Sequence, residues 1–187
     1  GYDQVNWSSK GGELLQEGLI LTENEQIFGI AREMMELRSN NILYNSMLSC
    51  GSILVYYAAT NGINMKQQLY SRPLSLRAIL YTITGLFVGG TYCLIKDMMR
   101  AYTEGSIDTF LANSGKEYAE AGVGFYDKIL KKNMAIRHLT GDNQFTALGN
   151  INDYFRTAST PLTQRKRFFE LNVKQLNAAE ENAENLA

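Results

Sequence analysis

The chain has 187 residues, with 18 basic and 19 acidic side chains and a mildly negative mean hydropathy. This near balance of charge excludes the uniformly basic surface that is typical of nucleic-acid-binding proteins. The mean hydropathy hides an uneven distribution, because apolar residues are concentrated in the middle of the chain between two polar, charge-rich arms.

The N-terminal arm, residues 1–41, is predicted to be helical. Thr22 and Glu25 fit the capping box T-x-x-E, in which the two residues satisfy free backbone amides at a helix start. After them, apolar residues recur at helical spacing and lead almost directly into a hydrophobic stretch: Ile27, Ile30, Ala31, Met34 and Leu37.

Two hydrophobic stretches follow, and each is long enough to cross a bilayer as a helix. Their apolar cores are residues 42–60 and 78–95, close to the roughly 20 residues needed to span a ~30 Å hydrocarbon layer. Arg77 and Lys96 close the two ends of the second stretch, where long basic side chains reach towards headgroups. A pair of buried helices in a soluble protein is the alternative, and a signal peptide is a poorer explanation because the stretches are internal and paired.

The connector between the stretches, residues 61–77, contains Lys66, Arg72 and Arg77 and no acidic residue. Basic residues in short loops mark the cytoplasmic side of a membrane protein, or the matrix side if the membrane is the mitochondrial inner one. The connector is therefore expected on that side, with both arms together on the opposite side.

Small residues on both stretches predict how this hairpin, residues 42–95, packs. Gly85 and Gly89 form a G-x-x-x-G pair, which removes side-chain bulk from one stripe of the second helix. Cys50 and Gly51 offer a comparable surface on the first helix. The two spans are expected to pack on each other, and the alternative is that the Gly85 face receives a helix of another protein.

The C-terminal region, residues 96–175, is predicted to continue in helices, with loop chemistry over residues 141–161. The last helix is expected to carry a cap and a thin apolar stripe, formed by Thr163, Phe168, Leu171 and Leu176. The tail, residues 176–187, is rich in Ala, Asn and Glu and is predicted to be disordered. The sequence thus predicts an all-α integral membrane protein, a two-span helical hairpin with helical arms on one side of the membrane.

The sequence contains no residue pattern of a catalytic or cofactor-binding site. A single histidine, His138, and two cysteines without C-x-x-C spacing argue against a metal site. No glycine-rich phosphate loop or nucleophile elbow occurs, and neither hydrophobic stretch contains a carboxylate or a basic side chain. The sequence therefore predicts a protein that is not an enzyme and that binds no cofactor, metal or nucleic acid.

Several separated blocks, in the same order, resemble the mitochondrial transmembrane protein 177 family. The most specific block is residues 122–130, GVGFYDKIL. Others are residues 28–33, FGIARE, before the first span, and residues 76–78, LRA, at the start of the second. The similarity extends over most of residues 21–167. Because the family's longer chains have an additional N-terminal portion with another hydrophobic segment, this chain resembles their C-terminal, hairpin-containing portion.

The resemblance implies a location and a role. Family members look like proteins of the mitochondrial inner membrane that stabilise newly made cytochrome c oxidase subunit II together with its dedicated assembly chaperone. Both arms would then lie in the intermembrane space and the connector in the matrix. The main alternative is a structural accessory subunit of a mitochondrial respiratory complex. An enzyme or transporter whose active residues come from a further N-terminal part ranks third.

Contacts with partner proteins are expected at two places besides the contact of the spans with the lipid bilayer. In the membrane we expect Gly85 and Gly89 to make them, and outside it Phe125, Tyr126, Lys128, Arg32 and Glu33. The alternative is that the Phe125-Tyr126 block forms the core of the outer arm. Arg32 and Glu33 would then make an internal ion pair.

Overall fold

Six α-helices make up most of the chain in the computed structural model, which describes residues 5–153, 156 and 159–184. They are α1 (Lys10–Leu19), α2 (Glu23–Arg38), α3 (Asn41–Lys66), α4 (Leu74–Asn113), α5 (Lys116–Thr140) and α6 (Leu162–Glu184). A 3-10 helix, Leu69–Ser71, lies between α3 and α4. Within these described residues the only β feature is an isolated bridge between Phe145 and Ile151. The all-helical prediction is confirmed.

The chain divides into two compact units. The hairpin unit is Ser39–Arg100, and the helical unit combines Gly1–Arg38 with Ala101–Ala187. The sequence predicted two arms, residues 1–41 and 96–175, without predicting how they relate to each other. In the structure, α1 and α2 from the first arm pack on α5 from the second.

The hairpin unit contains two helices, α3 of 26 residues and the N-terminal part of α4, which has 40 residues. Both helices are long and apolar enough to cross a membrane, and their most apolar windows are not buried inside the protein. The connector is shorter than the predicted residues 61–77, because only residues 67–73 lie outside the two helices. Hydropathy locates the apolar core of a span, whereas backbone hydrogen bonds extend a helix through polar residues beyond that core.

The core of the helical unit is built around three aromatic side chains from three helices. Phe28 of α2, Tyr126 of α5 and Phe169 of α6 are each at most 1% exposed. The rings of Phe28 and Phe169 meet edge to face with centroids 5.3 Å apart, a favoured geometry for aromatic pairs. Ile107 and Leu111 bring the C-terminal end of α4 into the same core.

Local signals in the helical unit are largely confirmed. The backbone N–H of Thr22 donates to Oε2 of Glu25 at 2.7 Å, and the N–H of Glu25 donates to Oγ1 of Thr22 at 3.4 Å, so the predicted capping box forms at the start of α2. Gly141 ends α5 with a positive φ of 67°, and Gly149 also has a positive φ. Both glycines were predicted to lie in turns.

The last helix differs from its prediction at both ends. It begins at Leu162, after Pro161, so Thr163 lies inside α6 rather than capping it. At the other end α6 continues to Glu184, whereas disorder was predicted from residue 176. Alanine and glutamate are good helix formers. A segment that extends an existing helix also needs no new nucleation step, so the tail continues α6.

Candidate binding site

The glycines of the block at residues 122–130 make α5 the centre of the helical unit. A Cβ atom on Gly122 would lie 2.6 Å from Cδ1 of Phe169, so α6 can place this ring against α5 only because residue 122 has no side chain. A Cβ on Gly124 would likewise overlap the carboxyl group of Glu25 from α2. The two glycines therefore admit one side chain from each of two neighbouring helices.

A polar contact fixes α2 on α5 beside these glycines. Nζ of Lys128 donates to Oε2 of Glu25 at 2.6 Å and also to the carbonyl oxygen of Ile20. Burial raises the pKa of Glu25, but hydrogen bonds from Lys128 and Thr22 outweigh this effect and lower the pKa below its ordinary value. Glu25 is therefore held as a carboxylate that caps α2 and binds Lys128.

Buried charges join α4, α5 and α6. Arg165 donates from Nε and Nη2 to the two carboxylate oxygens of Asp108, at 2.6 and 2.7 Å. The hydroxyl of Tyr126 donates to the same carboxylate at 2.9 Å. Burial raises the pKa of Tyr126, so this hydroxyl keeps its proton. Because the three groups satisfy one another, the cluster is a structural ion pair of the kind that fixes how helices meet.

An open groove lies on the surface of the helical unit, and we call it the α2 groove. It has a volume of about 480 Å³ and is lined by Leu21, Gln26, Gly29, Ile30, Glu33, Met34, Leu37 and Phe125. Ile30, Met34 and Leu37 are 62%, 64% and 84% exposed, respectively. They follow one face of α2, whereas Phe28, Ala31 and Met35 face the core. Contiguous exposed apolar side chains of this kind mark interaction surfaces.

The floor of the α2 groove is the ring of Phe125. A Cβ atom on Gly29 would lie 2.8 Å from Cε2 of Phe125, so the ring rests against the backbone of α2. The rings of Phe28 and Tyr126 also pack against it, with centroids 5.4 and 5.5 Å away. The floor is thus fixed before any partner binds.

The α2 groove has one charged lining residue, Glu33. Glu33 has a side chain that is 63% exposed, and one of its oxygens accepts from Nη1 of Arg32 at 2.5 Å. Arg32 also reaches Glu36 at 3.4 Å, while its own side chain is only 17% exposed. The side chain of Glu33 is therefore much more exposed than that of Arg32, which it binds.

The structure separates the five residues predicted to contact partners outside the membrane. Phe125 and Glu33 line the α2 groove, and Arg32 supports Glu33. Tyr126 is 1% exposed and lies in the core, as the alternative interpretation expected, so it offers no surface to a partner. Lys128 is engaged with Glu25 inside the unit.

The residues predicted to pack the hairpin make little close contact. A Cβ on Gly85 would lie 3.7 Å from the ring of Tyr56, whereas one on Gly89 or Gly51 would meet nothing within 4 Å, and Cys50 is exposed. The two backbones do not approach closely along these glycines. The expectation of close glycine-mediated packing is therefore not met.

Tyrosine side chains occupy the space between the two hairpin helices. The hydroxyls of Ser49 and Tyr92 are 3.3 Å apart, and Nδ2 of Asn64 donates to the hydroxyl of Tyr81 at 2.9 Å. Large rings at these positions hold the backbones apart. Two grooves of about 400 and 310 Å³ result, and Gly85 and Gly89 line the first while Gly51 lines the second.

Sequence reasoning found the α2 helix but missed the exposure of Ile30, Met34 and Leu37. A signal existed, because apolar residues also occur at positions 28, 31 and 35, so that α2 carries more apolar surface than one buried face requires. Among the described residues no group of three His, Cys, Asp or Glu side chains is arranged to hold a metal ion.

Comparison with known proteins gives matches to curated proteins named transmembrane protein 177. The mouse protein is 31% identical over 169 residues, and the alignment covers 87% of this chain and 54% of the mouse protein. The Xenopus laevis protein is 30% identical over 171 residues and the human protein 29% over 167, with the same coverage. No protein-family model and no solved structure matches the chain. The chain spans about half the length of these relatives, and over that span it belongs to the transmembrane protein 177 family.

Proposed function

We propose that this protein is a non-catalytic scaffold of the mitochondrial inner membrane that assists the assembly of cytochrome c oxidase. Its clients would be newly made subunit II and the assembly chaperone of that subunit. The family resemblance of the sequence blocks suggests this role. The observation that carries it is the α2 groove, where apolar side chains line a preformed depression that other described residues leave open.

A scaffold of this kind works by binding alone. A client that is recognised only in its folded or inserted form is stabilised by mass action, by about 2.7 kcal/mol when the scaffold is present at 100 times the dissociation constant. Apolar anchors in a pre-organised groove suit this task, because little conformational freedom is lost on binding. The satisfied Asp108–Arg165–Tyr126 cluster supports a non-catalytic role, because its polar groups are occupied by one another.

The packing of α2 on α5 supports a two-span topology. Helix α2 precedes α3 and helix α5 follows α4, and helices that pack on each other must share a compartment. If α3 crosses the membrane, α4 must therefore return the chain to the same side. The basic residues Lys66, Arg72 and Arg77 favour the matrix for the connector, and the helical unit would then lie in the intermembrane space.

The hairpin unit offers a second contact region, within the bilayer. Its two grooves expose glycine backbone at Gly51, Gly85 and Gly89. Small residues let another transmembrane helix approach closely, so a client helix has room beside the hairpin. The hydroxyl groups of Ser49 and Tyr92 would offer hydrogen-bond partners to polar groups of such a helix.

Pull-down of the tagged chain from mitochondria in mild detergent, with quantitative identification of the bound proteins, tests this role. Unassembled oxidase subunit II and its chaperone are expected, without the mature complex. Stoichiometric recovery of a complete respiratory complex would make this protein an accessory subunit and overturn the assembly role. Recovery of neither would also overturn it.

A further inference from the structure

We propose that the α2 groove binds one amphipathic helix of a partner protein, with bulky apolar residues on one face and a basic residue beside them. The inference rests on the proposed scaffold role and adds the chemistry of the segment that is recognised. It identifies the partner by the features of the groove, which are its shape, its apolar anchors and its charge.

The spacing of the anchors fits a helix as the ligand. Ile30, Met34 and Leu37 follow α2 at intervals of four and three residues, so they form a ridge about 10 Å long at the helical rise of 1.5 Å per residue. A partner helix that lies beside this ridge would present residues with the same spacing. Methionine adapts its shape to different neighbours, which suits a site that must accept side chains from another protein.

The ring of Phe125 gives the groove a fixed aromatic surface on which an apolar side chain of the partner can pack. This ring lies against Gly29 and is held by Phe28 and Tyr126. An apolar side chain of the partner would reach this ring from the open side of the groove. Buried aromatic surfaces that are fixed before binding are the usual centres of protein interfaces.

The charge of the groove favours a protein with a basic residue over a lipid surface. Glu33 lines the groove and has a side chain that is 63% exposed, whereas its partner Arg32 is only 17% exposed. This exposed carboxylate would repel anionic lipid headgroups and attract Lys or Arg. A concave groove with a fixed floor also matches a protruding side chain better than it matches a bilayer surface.

Direct binding to the purified full chain in detergent micelles tests this proposal. The probes are two fluorescent synthetic helical peptides with the same leucine face, one flanked by lysines and the other by glutamates. Fluorescence anisotropy is expected to give a dissociation constant at least about fivefold lower for the lysine peptide, because opposite charges attract and like charges repel at Glu33. Failure of both peptides to bind would overturn the proposal.

Two variants test separately how the charge and the apolar anchors contribute to peptide binding. Glu33→Lys should abolish or reverse the preference between the peptides, in the same micelles. Met34→Lys should weaken binding of the lysine peptide more than about tenfold, because it places a charge where an apolar anchor inserts. Leu171→Lys is the matched control, since Leu171 is an exposed apolar residue of α6 outside the groove. A preference that persists in Glu33→Lys, or equal losses in Met34→Lys and Leu171→Lys, would overturn the proposal.

Cysteine labelling distinguishes a partner helix from the other possible occupants of the groove, which are lipid and a second copy of the chain. With Cys50 and Cys93 replaced by serine, Met34→Cys in lipid nanodiscs should react rapidly with a water-soluble maleimide and be protected by the lysine peptide. Slow labelling without peptide would mean that lipid or a second copy covers the groove, and would overturn the proposal. If the peptide binds but the pull-down fails, only the assembly role is refuted. If the pull-down succeeds but the peptide does not bind, only this inference is refuted.

Discussion

At the scale of single residues, the missing side chains of glycines decide how closely the helices of the helical unit approach. Gly122 and Gly124 lie two positions apart on α5, and each receives a side chain of another helix. Gly18 similarly lets α1 approach the backbone of α5, because a Cβ there would lie 2.7 Å from the amide nitrogen of Lys132. The glycines of the hairpin helices have no such close neighbour, so the space beside them is open to another molecule.

Gly122→Ala should destabilise the helical unit by about 1 kcal/mol. The new methyl group would collide with the ring of Phe169, which is fully buried, and overpacking of this kind costs about 1–3 kcal/mol. Alanine recovers up to about 1 kcal/mol as a better helix former than glycine. Thermal unfolding of the purified chain in detergent, followed by circular dichroism, should show a lower midpoint.

The matched control is Gly105→Ala. Gly105 is an exposed position of α4 where a Cβ would meet nothing within 4 Å, so only the gain in helix propensity applies and the midpoint should rise. If Gly122→Ala raised the midpoint as much as Gly105→Ala, the ring of Phe169 would not depend on the glycine.

At the scale of elements, the position of α2 on α5 depends on an ionised carboxylate. Glu25 caps α2 through Thr22 and binds Lys128 of α5. Because hydrogen bonds lower its pKa in the folded state below the ordinary 4.5, the stabilisation is fully present above that pH and is lost as the pH falls through the lowered pKa. The pKa of Asp127, which Lys166 and Lys131 lower against the opposing effect of burial, adds to the same acid sensitivity.

Glu25→Gln should therefore cost about 1 kcal/mol at neutral pH, since a charge-assisted hydrogen bond is replaced by a neutral one. It should also flatten the loss of stability below about pH 4.5. Chemical unfolding at a series of pH values measures both effects. Glu23→Gln is the control, because Glu23 lies exposed in the first turn of the same helix. An equal pH profile for Glu25→Gln and the original chain would refute the contribution of this carboxylate.

The helices could largely be predicted from periodicity and capping, but which face of each helix is buried could not. The sequence placed Phe168 in the apolar stripe of the last helix, whereas the structure buries Phe169 completely. Two adjacent aromatic residues satisfy helical spacing equally well, and Gly122 on another helix decides between them. Helix α1 lies within the arm that was predicted to be helical, but its bounds were not predicted, because three of its ten residues are glycine, which disfavours a helix unless close packing compensates. The sequence shows that α2 carries more apolar surface than one buried face requires, but which face stays exposed depends on which face meets α5.

At the scale of the whole molecule, the helical unit is assembled from both ends of the chain, Gly1–Arg38 and Ala101–Ala187. The hairpin unit is an insertion between them. Contacts between α2 and α5 therefore join residues that are separated in sequence by two candidate spans. If the two candidate spans cross a membrane, both segments must be on the same side of it before the helical unit can form.

Labelling of single cysteines in mitochondria tests this topology. In a background with Cys50 and Cys93 replaced by serine, Lys10→Cys and Lys174→Cys report on the two segments of the helical unit, and Gln67→Cys reports on the connector. Because the paired helices must share a compartment and the basic connector favours the matrix, an impermeant maleimide should label the first two variants once the outer membrane is opened. Gln67→Cys should react only after detergent dissolves the inner membrane. The reverse pattern would place the helical unit in the matrix, whereas labelling of only one of the two segments would contradict the hairpin itself.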